Sequence, residues 1–202
     1  RSAMALAHKG LAWESRATLF TGIADIGGGN RTVPVLEDDG ELLGDSWAIA
    51  EHLEARYPDR PSLFGGETGK SLARFVQNWT IAQMHAPIFR MIAADVHDAL
   101  DPADQSYFRE SREKRLGRRL EDVQAARDDE LPAFRAGLAP LRFTLQAQAF
   151  LGGERPTYAD YLPFGALHWA RTTSPFRLLA DDDPVLAWFE RCLDLYDGLG
   201  RR

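Results

Sequence analysis

The spacing of apolar positions divides the chain in two. Up to about residue 58 it changes every few residues, and beyond about residue 70 it stays helical. Arg1–Gly10 reads as a helix already under way, closed by a glycine just past its last turn. Leu11–Leu19 carries Trp13, Ser15, Ala17 and Leu19 on alternate positions, which predicts a half-buried strand. Phe20–Ile26 is a short, ambiguous run, placed in the order as a brief helix, and Gly27-Gly28-Gly29-Asn30 is a loop. Val33–Glu37 is β-rich, and Pro34 puts it at a strand's start or a sheet edge, because proline has no N–H for a ladder. Asp38-Asp39-Gly40 predicts a hairpin turn, with Glu41-Leu42-Leu43 returning as the partner strand. Asp45-Ser46 then opens a helix with Ile49, Ala50, Leu53 and Tyr57 on one face, and Pro58 ends it.

Residues 59–69 hold Pro61, three glycines and no period, and read as a linker. Past it, Leu72, Phe75, Val76 and Trp79 fall at i, i+3, i+4 and i+7, a helix that continues toward Met84 until Pro87 kinks or ends it. Leu116, Leu120 and Val123 form a second stripe. Phe134, Leu138, Leu141 and Leu145 form a third, closed by Gly152-Gly153. Thr157 is placed at an N-cap with Asp160 at N3, close to a capping box. The last helix carries Val185, Trp188, Phe189, Cys192 and Leu195. The architecture predicted is a small α/β domain over residues 1–66, then an all-helical domain over residues 70–202.

Composition narrows the function. The chain has 202 residues, of which 45% are hydrophobic and 27% charged, so it can bury a core and is not disordered. No stretch approaches the ~20 apolar residues of a membrane span. A single cysteine excludes a disulfide framework and a thiolate zinc cluster, and fits a reducing compartment such as the cytoplasm. The net charge is −6, and residues 1–69 carry −5 of it, which argues against nucleic-acid binding. Phosphate-loop, nucleophile-elbow and zinc-helix motifs are all missing. Asp95, His97 and Asp98 read as a solvated helix end rather than a metal site, and Cys192 as a small buried hydrophobe.

Two features carry chemistry together. A cis Val33–Pro34 bond would turn the chain sharply and present the Val33 backbone for pairing with a peptide-like ligand. The helix at Asp45-Ser46 offers free N–H groups and the positive end of its dipole. No capping-box glutamate competes for them, since position 48 is Ala. A ligand carboxylate suits those donors and the Ser46 hydroxyl, and a ligand ammonium suits Asp45. Taken singly, an ordinary edge strand and an ordinary N-cap remain the alternatives.

In this order, before a helical domain, the constellation resembles the glutathione transferase superfamily, and most closely its bacterial β-etherases, which cleave lignin-type aryl ethers. The stretches carrying the likeness include Val33-Pro34-Val35, Asp38–Glu41, Asp45-Ser46-Trp47, Tyr57–Pro61, Asn78-Trp79, Arg119–Ala125, Leu151–Gly153 and Asp197–Arg201. The resemblance implies a thioredoxin-like amino-terminal domain, its first strand apparently missing, and an all-helical carboxy-terminal one. It implies that Val33 holds the cysteinyl backbone of glutathione next to cis Pro34. Ser46 would bind the γ-glutamyl carboxylate, Asp45 would face its ammonium, and Arg31 is the candidate for the glycine carboxylate. Thr157 and Asp160 would matter for folding. The thiolate-activating residue is expected upstream of Arg1. Gln83, His85 and Phe89 are candidates for lining the substrate pocket, with ordinary packing as the alternative. The reaction implied is attack of glutathione thiolate on a small hydrophobic aromatic electrophile, β-aryl ether cleavage favoured, in a homodimer without metal. The alternatives are a general glutathione transferase and a non-catalytic protein-interaction module.

Overall fold

Ser2–His8 form helix α1, which stops where Gly10 turns left-handed at φ +64. The computed structural model describes residues 1–202. The strand expected over Leu11–Leu19 is not there: the segment has no regular structure and is mostly exposed. Alternation supplies two faces, but a strand also needs a ladder partner. The sheet has two strands, β1 (Val35–Asp38) and β2 (Glu41–Gly44), and they pair with each other. Phe20–Ile26 form one 3-10 stretch. The hairpin runs in the register Val35↔Gly44 to Asp38↔Glu41. Its turn residues Asp39 and Gly40 both have positive φ, 49° and 82°, which matches the twist of a two-residue hairpin. Asp38 then ties the hairpin to helix α2 (Ser46–Arg56), accepting from the Tyr57 hydroxyl at 2.9 Å and bonding His52 at 2.7 Å.

Helix α3 (Glu67–Thr80) begins inside the stretch expected as linker, so residues 67–69 are helical. A Cβ on Gly69 would lie 1.9 Å from the Phe64 carbonyl oxygen, and glycine alone lets the first turn approach the incoming chain so closely. A π-helical turn, Ile81–His85, joins α3 to α4 (Ala86–Ala99) without a break in helical backbone. Pro87 cannot donate to the preceding turn, and the wider turn just ahead of it absorbs the mismatch. Pro102–Leu116 form α5, ended by left-handed Gly117. Four more helices, α6 (Leu120–Gln124), α7 (Arg127–Gly137), α8 (Ala139–Ala147) and α9 (Tyr158–Thr173), lead to α10 (Pro184–Gly198).

One continuous core spans both halves. Met4, Ala5 and Leu6 of α1 and Trp47, Ile49, Ala50 and Leu53 of α2 join the helical residues, with Leu63 and Phe64 between them. Helix α3 buries its Ala73, Gln77 and Thr80 face. Its apolar stripe is split: Val76 and Trp79 pack partly against the core, whereas Leu72 is 64% and Phe75 71% exposed. No helix is long and apolar enough to cross a membrane.

Candidate functional site

The Val33–Pro34 bond is cis. Val33 is 51% exposed, and neither its N–H nor its carbonyl makes a hydrogen bond within the chain. Both backbone groups are therefore without a partner in the chain at the bend, just before β1 starts at Val35. Arg31 lies exposed two residues ahead of Val33.

The helix mouth departs from expectation. Asp45 caps α2 itself: one carboxylate oxygen, Oδ1, accepts from Trp47 N–H at 2.9 Å and Ala48 N–H at 3.1 Å. Those two donors are not open to a ligand. What stays open is the Ser46 N–H, the Ser46 hydroxyl and the second oxygen of Asp45. Position 48 holds no capping glutamate, yet the N-cap aspartate itself reaches its own helix. Asp45 holds this pose at φ +69, ψ 126, where a residue with a Cβ is strained. Asn30 steadies the approach. Its side chain lies over Gly44, where a Cβ would come within 2.1 Å of it, and it donates to the Gly27 carbonyl at 3.0 Å.

The helical half holds this mouth in place. Tyr158, on the first turn of α9, donates from its hydroxyl to the Ser46 carbonyl at 2.6 Å. Its ring meets Trp47 edge-on at 5.7 Å, and burial pushes its hydroxyl up to about 12, so it stays a donor. Arg74 of α3 covers the Trp47 face at 3.7 Å. Tyr158 is in turn fixed by Asp160, a buried carboxylate that accepts from the N–H groups of Leu151, Gly152 and Thr157 and from the Trp188 indole, at 2.7–3.1 Å. Thr157 occupies the N-cap, as expected. The sequence placed the capping pair but gave no sign that the next residue, Tyr158, reaches across to Ser46.

Of the three candidate pocket residues, two share a face. His85 bonds the Arg1 guanidinium. Burial, helped by Arg1, lowers His85 to about 4, so the ring is neutral at pH 7. Phe89 lies one turn further along, stacked on Trp169 at 6.4 Å and edge-on to Phe108 at 6.3 Å. Gln83 sits two residues before His85, on another side of the helix, beside Gly137 at the end of α7. It does not join them. Among the other candidates, Asp95 accepts from Gln124, Ser174 and Arg127, whereas His97 pairs with Asp98, so the three do not converge. Cys192 is buried, and burial pushes its thiol up. A cavity of about 360 Å³ between α9 and α10 shares no residue with the Val33–Ser46 site.

Residues 1–61 match the family model described as glutathione S-transferase, N-terminal domain, and residues 71–195 match the one described as glutathione S-transferase, C-terminal domain. The chain belongs to the glutathione S-transferase family. The transferase GSTFuA3 from Phanerochaete chrysosporium is 29% identical, at a TM-score of 0.74 over 96% of this chain and 82% of its own. CsGST63524 of Ceriporiopsis subvermispora, solved in complex with glutathione, superposes at 0.80 over 97% of this chain and 87% of its own, at 21% identity. A curated relative, the glutathione S-transferase-like protein ustS of Aspergillus flavus, is 25% identical over 137 residues, 62% of this chain and 49% of that one. The chain thus spans about half the length of that relative. The fold is the transferase one expected: a thioredoxin-like amino-terminal part built here on one hairpin, and a helical carboxy-terminal part.

Proposed function

We propose that this transferase binds glutathione along the Val33 bend and uses its thiolate against an aromatic electrophile. The observation that carries the reading is the pairing of a free Val33 backbone with free Ser46 donors and a free Asp45 oxygen at one helix mouth. The cysteinyl backbone of glutathione adds to Val33 as a strand would. The γ-glutamyl carboxylate takes the Ser46 N–H and hydroxyl, where the helix dipole favours a negative charge. The ammonium meets the second oxygen of Asp45, and Arg31 takes the glycine carboxylate. Glutathione bound to a neighbour of the same fold supports this choice of co-substrate.

The electrophile we favour is a β-aryl ether beside a ketone. The sulfur forms a C–S bond at the ether carbon, the C–O bond breaks, and the phenolate leaves with the electron pair. The aromatic rings around Phe89, one turn from His85, support an aromatic substrate. The outward stripe of Leu72 and Phe75 supports a homodimer across α3. The lone buried cysteine supports a reducing cytoplasm.

Calorimetric titration with glutathione tests the site. Wild type binds, and Ser46→Ala weakens binding about tenfold, as expected for losing a hydrogen bond to a charged group. Equal binding by both rejects this placement. No binding by either returns the chain to the interaction-module reading. Phenolate release from an α-aryloxyketone with glutathione tests the reaction, and turnover of chloronitroarenes alone would replace ether cleavage with general conjugation.

A further inference from the structure

The cavity of about 360 Å³ between α9 and α10 is built entirely from the helical half. The two helices supply Leu167, Ala170, Leu186 and Phe189, and the segment that connects them supplies Leu178 and Leu179. That segment has no regular structure. It does not close onto the apolar side chains, because it is tied at four places to residues that do not line the cavity. The Ser174 hydroxyl donates to Asp95 of α4 at 2.5 Å. Arg127 of α7 lies 4.6 Å over the Phe176 ring. Arg135 of α7 donates to the Leu178 carbonyl at 2.8 Å and the Arg177 carbonyl at 3.3 Å, and Arg142 of α8 pairs with Asp183 at 2.7 Å. The wall would have to break these contacts to collapse, so the space persists in the folded chain.

The Arg135 contacts have a second consequence. The peptide bonds of this segment are trans, so each N–H points opposite to the carbonyl of its own plane. With the Arg177 and Leu178 carbonyls both turned to Arg135, the N–H groups of Leu178 and Leu179 both turn away from it. Both residues are buried, and neither N–H has a hydrogen-bond partner in the chain. Buried backbone donors need an acceptor, and two successive N–H groups turned one way form a small concave anion site. A full positive charge stands on the same lining. Arg171, in the last turn of α9, makes no ion pair and no side-chain hydrogen bond, whereas Arg177 is paired with Asp181 and Glu190 with Arg201. At about 30 Å³ per heavy atom the space takes about a dozen heavy atoms.

We propose that this cavity binds a medium-chain aliphatic carboxylate. The alkyl chain lies among Leu167, Leu178, Leu179, Leu186 and Phe189, and the carboxylate takes the Arg171 guanidinium and the Leu178 and Leu179 N–H groups. The site shares no residue with the Val33–Ser46 mouth and does not depend on the transferase reading.

Titration calorimetry on the whole chain, with octanoate, hexanoate and 1-octanol as probes, tests this. Wild type is expected to bind octanoate at least tenfold more tightly than 1-octanol, and hexanoate about fifteenfold more weakly than octanoate, at about fourfold per methylene buried. R171Q, at an exposed position, should weaken octanoate about tenfold and leave 1-octanol unchanged. L186W, which fills the cavity, should abolish binding of both, with a circular dichroism melt showing that the variant is folded. R155Q, an exposed arginine outside the cavity lining, should change neither. Octanoate bound no more tightly than 1-octanol, or no binding at millimolar octanoate, overturns the proposal. So does an octanoate affinity that R171Q leaves intact, because the ligand then lies elsewhere.

Discussion

Replacing Asp160 by asparagine should loosen the joint that holds the candidate site. The carboxylate is fully buried and accepts four hydrogen bonds, two on each oxygen. Leu151 N–H and the Trp188 indole use Oδ1, and Gly152 and Thr157 N–H groups use Oδ2. All four partners are donors. Asparagine keeps one acceptor, so either orientation of its amide aims an NH₂ at two N–H groups. Hydrogen bonds to a charged acceptor are worth about 1.5–3 kcal/mol each, so losing two costs about 3–6 kcal/mol. Domains of this kind have about 5–15 kcal/mol in total. At roughly 2–4 °C per kcal/mol for a chain of this size, the melting point should fall by about 6–24 °C. Below that temperature Tyr158, two residues before the substitution, should hold the Ser46 carbonyl less firmly, and glutathione affinity should fall as well. Circular dichroism melts and urea titrations read the first effect, and calorimetry at 15 °C reads the second. D181N, at an exposed ion pair with Arg177, is the control and should change stability by less than about 1 kcal/mol. A D160N loss no larger than that of D181N refutes the reasoning, since the four donors would then be satisfied without the charge.

Three further outcomes follow from the geometry. Asp45→Asn keeps an N-cap and tolerates positive φ, so unfolding free energy should stay within about 0.5 kcal/mol while glutathione binds about tenfold more weakly; unchanged affinity would remove Asp45 from the site. His85 is lowered to about 4 in the folded chain, so protons bind the unfolded state preferentially between that value and its ordinary 6.5. Its share of stability is complete above pH 6.5 and is lost as the pH falls toward 4. His85→Gln should flatten that slope in pH-dependent urea titrations, with His8 and His168, also lowered by burial, supplying what remains. If α3 is a dimer face, L72E/F75E should shift sedimentation velocity profiles from dimer to monomer without a change in helix content, and a wild type that is monomeric at micromolar concentration rejects the interface.

The features read correctly from sequence are those in which one local choice has one physical solution. Asp39-Gly40 permits a two-residue turn and little else, so the hairpin and its partner strands were visible. Gly10 marks a helix end because it turns left-handed there, whereas the expected stripe of Leu116, Leu120 and Val123 is split by left-handed Gly117, which closes α5 before α6 begins. The Thr157–Asp160 spacing showed a helix start. Failures occur where the outcome depends on a partner distant in the chain. Alternation from Leu11 to Leu19 could not say that no strand lies alongside. The spacing of Leu72, Phe75, Val76 and Trp79 named a helix but not which side the rest of the protein covers: Ala73, Gln77 and Thr80 are its buried positions, Val76 and Trp79 are partly covered, and Leu72 and Phe75 are exposed. At the site, Val33, Asp45 and Ser46 were legible as a bend followed by a cap. The length of Asp45's own reach was not, nor were the contacts of Tyr158, Arg74 and Asp104, each separated from its partner by tens of residues.

Those long-range contacts explain why the site is a property of both halves. Residues 1–66 contain one two-stranded sheet, and a lone hairpin is marginal in water. Its inner face and α2 gain their burial from the connection and from the helices: Trp47 is enclosed by Phe64, Tyr158 and Arg74, and Lys9 is buried against Glu54, which also receives the Leu63 N–H. The strained Asp45 and the adjacent Ser46 therefore sit on an element whose position is set by α3 and α9 rather than by the sheet. The same logic holds for the Phe20–Ile26 stretch, for which Asp104 of α5 supplies the hydrogen-bond acceptors. A substitution at Tyr158 should thus alter glutathione binding without a direct effect on the Phe20–Ile26 stretch, which Asp104 holds, and no hydrogen bond joins the two residues.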